Sequence, residues 1–331
     1  MKATHLLPLK TKCSCHMDSK SVKILQIASL TPKGNACLAE EFTVSRLWEQ
    51  KNPEEFLQQQ GDQFAAIVTA ARKKVDAALI SLLPSLQMIA TRGVGYDHID
   101  LAAAHKKHIV VSHTPGVLTD CVADLAFGAL IAVSRELVKA DCFVRGERWP
   151  EQSYPLTTRV SGKRLGIVGL GRIGEAIGRR ATGFSMTIRY HNRSERPEAS
   201  WSYEPSLQAL AQWADFLVIA TPGGVETRKL VSAEIMDALG PQGFLINVAR
   251  GSVVDEQALI LALKDGRIAG AALDVFEYEP LVPKPFLEMD NVLLLPHIAG
   301  STRETFAAME NLVLDNLRSF FQTGRPVTPV R

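Results

Sequence analysis

The stretch Leu165-Gly166-Ile167-Val168-Gly169-Leu170-Gly171-Arg172-Ile173-Gly174 combines the residue types and spacing that hold a pyrophosphate. An apolar run leads straight into G-x-G-x-x-G, and a helical pattern, Glu175-Ala176-Ile177-Gly178-Arg179-Arg180, follows. Gly169 permits a tight turn, Gly171 lets backbone approach the phosphates, and Gly174 lets the helix pack on the strand. The helix start then offers free N–H groups and partial positive charge to an anion. Glycine-rich turns are common, but between a strand and a helix this one predicts a dinucleotide site. Further along, three chemically capable side chains close apolar runs: Arg250 after 243–248, Glu279 after 270–275, and His297 after 292–295. Ligands of open α/β sheets sit beyond the carboxyl ends of the strands, so all three can converge on one crevice.

The strand expected over 186–190 ends in His191-Asn192-Arg193-Ser194. A site selective for NAD wants a carboxylate about 20 residues past the glycines, to accept from the ribose 2′-OH. Here Asn192, Arg193 and Ser194 occupy the tip. Nothing there repels a 2′-phosphate, and Arg193 offers a charge-assisted fork. NADP(H) is therefore the expected cofactor, with NAD(H) possible should Glu195 serve as the acid and Arg193 be merely solvated.

Positioning such residues takes a parallel α/β framework, and the apolar pattern supplies one. Strand-like runs fall at 22–28, 65–70, 87–91 and 109–112, separated by helical stretches such as 54–60 and 101–108. Thr114-Pro115-Gly116 breaks the pattern. One long helix is expected over 119–145, capped near Thr119 or Asp120. Its surplus of apolar positions (Leu125, Phe127, Leu130, Ile131, Val133) predicts a homodimer built around it. Six strands (165–169, 186–190, 215–220, 243–248, 270–275, 292–295) fit two mononucleotide-binding halves, helix 255–264 joins two of them, and a last helix over 302–321 returns to the first part.

The 331 residues are enough for two full cores. With 22% charged residues and net charge +2, bulk charge argues against nucleic acid or a membrane surface as partner. No apolar run reaches the ~18 residues of a spanning helix. Five cysteines, odd in number and scattered, speak for a reducing, cytoplasmic setting rather than a disulfide framework. Cys13-Ser14-Cys15-His16 has metal-like spacing, but no second ligand pair follows, so no metal is expected. Residues 1–21 read as a flexible extension without a signal-peptide core, and Met17 could serve as an alternative start.

Taken together, Gly93-Val94-Gly95-Tyr96-Asp97, Thr114-Pro115-Gly116, the glycine turn, Asn247–Gly251, Asp274–Pro280 and Pro296–Gly300 resemble the D-isomer-specific 2-hydroxyacid dehydrogenases over essentially 22–330. Within that family the run from Arg148-Trp149-Pro150 to Ser161-Gly162-Lys163 is most similar to the glyoxylate/hydroxypyruvate reductases, including the hydroxyphenylpyruvate-reducing branch. The resemblance implies two doubly wound domains with a cleft between them. One is a flavodoxin-like substrate domain (22–116 plus 299–331); the other is a Rossmann dinucleotide-binding domain (117–298). It implies that Arg250 holds the substrate carboxylate and carbonyl oxygen, that His297 is the general acid, and that Glu279 orients His297 and favours its charged form. Asp274 would meet the nicotinamide carboxamide, and Val94 and Gly95 would offer N–H groups to the carboxylate. Cofactor contacts would also come from Arg172, Ile173, Thr221, Pro222, Val248, Ala249, His297 and Gly300.

The expected activity is thus NADPH-dependent reduction of small 2-keto acids such as glyoxylate and hydroxypyruvate to D-2-hydroxy acids. Alternatives are a reductase of bulkier keto acids, a phosphoglycerate dehydrogenase lacking a C-terminal regulatory domain, and a dinucleotide-sensing corepressor-like protein, which would turn over little keto acid. Plainer roles also exist: Arg250 pairing with Asp255, Glu279 capping a turn before Pro280, His297 satisfied within a loop. His98, His108, His113 and His191 read as surface or structural. Arg92 could meet a distal substrate group or face solvent, and Trp149 fits core or interface packing or a neighbouring subunit's pocket.

Overall fold

A computed structural model of the chain describes residues 19–330. The Cys13–His16 cluster and Met17 lie outside the described residues; of the expected extension only the turn Ser19–Ser21 falls within them. Two parallel sheets carry the fold. The first contains β1 (Lys23–Gln26), β2 (Thr43–Arg46), β3 (Ala66–Ala70), β4 (Met88–Arg92) and β5 (Val110–Ser112), in the order β2-β1-β3-β4-β5. The second contains β6 (Arg164–Val168), β7 (Thr187–His191), β8 (Ser202–Tyr203), β9 (Phe216–Ile219), β10 (Phe244–Asn247), β11 (Gly270–Leu273) and β12 (Val292–Leu294), in the order β12-β11-β10-β9-β6-β7-β8. Both orders reverse direction once, so each sheet has a switch point where loops diverge and leave a crevice.

Burial on both faces explains the central strands. Phe216-Leu217-Val218-Ile219 is buried at every position, as a strand with helices on either side requires. The helix Arg172–Thr182 buries Gly174, Ile177, Gly178 and Ala181, one stripe at helical spacing, and turns Arg179 outward. Asp255 and Thr302 cap the helices Glu256–Lys264 and Arg303–Thr323 by accepting from Ala258 and Thr305 N–H; such caps contribute about 1 kcal/mol each. The last helix lies against β4 and the helix Pro32–Glu41, so it does return to the first sheet.

Several expectations need correction. The long helix is two, Thr119–Ser134 and Leu137–Arg145. Ser134 Oγ bonds back to Leu130 O at 2.8 Å, and Glu136 adopts φ 52°, a left-handed conformation that ends the first helix. Its start is Leu118 with no side-chain cap, rather than Thr119 or Asp120. Phe127, Leu130 and Val133 are buried inside the chain's own core, so they offer no surface to a partner. Exposed apolar side chains stand instead on the next helix and the segment after it: Leu137, Val138, Val144, Trp149 and Leu156. β2 and β8 were not anticipated. Both are edge strands, the first with a single apolar residue, Val44, among partly exposed polar ones and the second only two residues long. Among the described residues no helix is long and apolar enough to cross a membrane.

Candidate active site

The glycine turn follows β6 at the centre of the second sheet, beside β9. Gly169 has φ 97°, and a Cβ there would sit 2.6 Å from Thr221 N, so only glycine lets the turns after β6 and β9 touch. A Cβ at Gly174 would meet Gly169 O at 2.3 Å, which forces the helix onto the turn. Gly171 differs: nothing lies within 4 Å of its Cβ position. It is the N-cap of Arg172–Thr182 and no side chain caps that helix, so the first amides face open space. That surface suits a pyrophosphate, for which the amides of Arg172 and Ile173 would be the donors.

At the tip of β7, Asn192 Oδ1 accepts from Leu170 N–H at 2.7 Å and braces the turn. Arg196, overlooked in the sequence, braces it too, through Leu170 O at 2.6 Å and Glu175 at 2.8 Å. Arg193 and Ser194 are exposed, and Arg193 pairs with Glu226 on the loop after β9. That loop also carries Pro222, whose carbonyl accepts from Thr227 Oγ1 at 2.8 Å. Val248 and Ile173 pack with Val94 and Ala299 in a small apolar cluster shared by the two domains, and a Cβ at Gly300 would lie 4.0 Å from Leu118 of that cluster.

Arg250 leaves the end of β10 and crosses to the first sheet. Its Nε lies 3.0 and 3.2 Å from the two Asp97 oxygens, and Nη1 donates to Ala249 O at 2.7 Å. Two of the five guanidinium donors are thereby committed, and three remain. The free edge abuts Gly95, where a Cβ would fall 1.6 Å from Nη2. The Val94–Gly95 loop is tied by Thr114, which bonds Gly93 in both directions (2.9 and 2.8 Å), and by His113 Nδ1 on Val94 O at 2.9 Å. The amides of Val94 and Gly95 have no acceptor among the described residues. Guanidinium and amides together make a pocket for a carboxylate beside a second oxygen. The suggested Arg250–Asp255 pair does not form; Asp255 pairs with Lys229 at 3.1 Å.

His297, at φ 56°, turns Nδ1 to Glu279 Oε2 at 2.7 Å. The other Glu279 oxygen accepts from Phe276 N–H at 3.2 Å, so the carboxylate both caps its own turn and orients the imidazole. Burial pushes the Glu279 carboxyl up, yet His297, the Phe276 amide and Arg72 together hold it below the usual carboxylate range. Asp274 is buried and accepts from Ile298 and Ala299 N–H at 2.7 and 2.9 Å, fixing the loop that bears His297. Burial raises its pKa against the pull of those amides and of His297. With Nδ1 committed, Nε2 is the nitrogen left to face a substrate.

The remaining candidates are structural. Arg92 bonds the buried Glu310 at 2.9 Å and stacks on Phe306 at 4.3 Å, which leaves its side chain mostly covered. His98 reaches Thr91 Oγ1 at 3.1 Å and His191 reaches Glu204 O at 3.0 Å, both within their own domain. Asp97 and Arg72 were missed as site residues, although Asp97 stood only two positions beyond Gly95 in a quoted motif.

The profile of the D-isomer specific 2-hydroxyacid dehydrogenase NAD-binding domain matches residues 127–299. The chain is 43% identical over 311 residues to glyoxylate/hydroxypyruvate reductase A of Arabidopsis thaliana, covering 94% of this chain and 99% of that one. It is 42% identical to the hydroxyphenylpyruvate reductase of Plectranthus scutellarioides with the same coverage. The crystal structure of an NADPH-dependent glyoxylate/hydroxypyruvate reductase from Sinorhizobium meliloti, in complex with NADP and malonate, superposes with TM-score 0.89 at 41% identity, covering 94% of this chain and 97% of that one.

Proposed function

The chain belongs to the D-isomer-specific 2-hydroxyacid dehydrogenases, and on that premise we propose that it is an NADPH-dependent reductase of small 2-keto acids, glyoxylate and hydroxypyruvate foremost. One observation carries this reading: a free guanidinium edge at Gly95 and a carboxylate-backed histidine stand on loops whose Val94, Val248 and Ala299 pack in one apolar cluster. Arg250 and the Val94 and Gly95 amides take the substrate carboxylate, and Arg250 also polarises the carbonyl oxygen. His297 Nε2 donates the proton to that oxygen, while Glu279 holds Nδ1 and offers its charge to the imidazolium. The bound dihydronicotinamide supplies the hydride to the carbonyl carbon. Asp274 has acceptor capacity beyond its two amide bonds, and it is assigned the carboxamide.

NADPH is the favoured cofactor because Asn192, Arg193 and Ser194 rather than a carboxylate stand directly after β7, and Arg193 is exposed there. A homodimer fits the unpartnered Leu137, Val138, Val144, Trp149 and Leu156, with Trp149 66% exposed. The test is a set of kcat/KM values for glyoxylate, hydroxypyruvate and hydroxyphenylpyruvate, each with NADPH and with NADH. The reading expects the small keto acids with NADPH to lead. Negligible turnover of every keto acid would instead support a sensor.

A further inference from the structure

Arg72 lies on the turn after β3, on the lobe opposite Glu279 and His297, yet its side chain reaches both of their loops. Nη2 donates to Pro296 O at 2.9 Å, and Nε stands 3.5 Å from Glu279 Oε2, the oxygen that also accepts from His297 Nδ1. The backbone of His297, in its left-handed conformation, is therefore held from two sides. Asp274 takes the amides of the two residues that follow it, and Arg72 takes the carbonyl of the residue before it. Asp274 shares a sheet with His297; Arg72 does not, so its half of this grip depends on how the lobes meet. Arg72 also lines one cavity with Phe276, Glu279, Leu294 and His297.

We propose that Arg72 is a positioning residue for proton delivery, fastening the His297 loop from the substrate-side lobe and drawing the Glu279 charge away from the imidazolium when the lobes are together. The proposal rests on His297 being the acid. In that step the proton leaves Nε2 for the carbonyl oxygen, the N–H electron pair stays on the ring, and the carbonyl carbon gains two electrons with the hydride. Arg72 and the imidazole share one Glu279 oxygen, so replacing Arg72 leaves that oxygen to His297 alone. The other charges facing the pair are Asp274 and Glu256, both acidic; Arg228 is spent on Glu277. They remain unchanged when Arg72 is replaced.

The test compares wild type, Arg72→Met and Arg72→Lys by the pH profile of kcat for keto-acid reduction. Melting temperature and NADPH binding serve as folding controls. For Arg72→Met, the pH at which reduction falls by half should move upward by about half to one unit, given that the cation is half exposed. Its kcat at neutral pH should drop several-fold to about tenfold, with KM changed less. Arg72→Lys, which keeps the charge without the fork, should restore the pH profile but only part of kcat. An unmoved profile with kcat within about twofold of wild type overturns the proposal, and so does an effect confined to KM. His297→Ala in the same assay separates the two readings. If that variant is inactive while Arg72→Met matches wild type, only the role of Arg72 fails; if it turns over normally, the assignment of the acid fails.

Discussion

Asp97 and Arg250, 153 positions apart, meet across the cleft with Nε 3.0 Å from Oδ1, and the bond aims the unspent edge of the guanidinium at Gly95. Asp97→Ala removes that aim without touching the substrate pocket itself. KM for the keto acid should rise about tenfold, a typical loss for one charge-assisted bond that is partly solvated. NADPH affinity should stay within about twofold. Steady-state kinetics with cofactor titration decides this, and an unchanged KM would count against Asp97 as the residue that aims Arg250.

Arg193 pairs with Glu226 across the loops after β7 and β9, at the edge where a 2′-phosphate would lie. Arg193→Ala should lower kcat/KM with NADPH by about ten- to hundredfold and leave NADH nearly unaffected. Equal losses with both cofactors would show that the arginine shapes the loop rather than reading the phosphate.

His98 gives a stability prediction. Burial drives its pKa from 6.5 down to about 4, against Asp97, which raises it, and with Arg250, which lowers it further. Its buried Nδ1 has no hydrogen-bond partner among the described residues. Because the folded value is depressed, the unfolded chain binds more protons between about 4 and 6.5, and stability falls as pH drops through that window. From pH 7 to pH 5 the loss should be about 1–2 kcal/mol. Urea unfolding at the two pH values, in wild type and His98→Gln, measures it. The variant should lose that part of the slope, and identical slopes would refute the assignment.

How far the site was legible depended on the distance over which its contacts form. The glycine turn is a local motif, since Gly169, Gly171 and Gly174 act within one β-turn-α unit, and it was readable at once. Arg250, Glu279 and His297 were readable because parallel strands bring their carboxyl ends together whatever the loops do. Asp97 and Arg72 were not. Their partners lie on the other lobe, 224 positions away in the case of Arg72 and Pro296, and no periodicity encodes that approach. Arg92 shows the converse: its place before the substrate loop left a substrate contact and a solvent-facing position equally open, and the ion pair with the buried Glu310 of the last helix was not legible. The break at Glu136 was invisible for a related reason. Apolar spacing runs through 119–145, while the break comes from the Ser134 back-bond and one left-handed residue.

The most direct measurement is kcat for glyoxylate and hydroxypyruvate reduction by His297→Ala, followed from about pH 5.5 to 9 beside wild type, with NADPH binding confirmed for both. If His297 Nε2 delivers the proton, wild-type reduction fades as pH climbs and the imidazolium is lost, whereas oxidation of the hydroxy acid strengthens over the same range. The variant should then lose about two to four orders of magnitude in kcat and the pH dependence with it. Near-wild-type turnover of His297→Ala across that range, with its pH profile intact, would contradict the proposed mechanism.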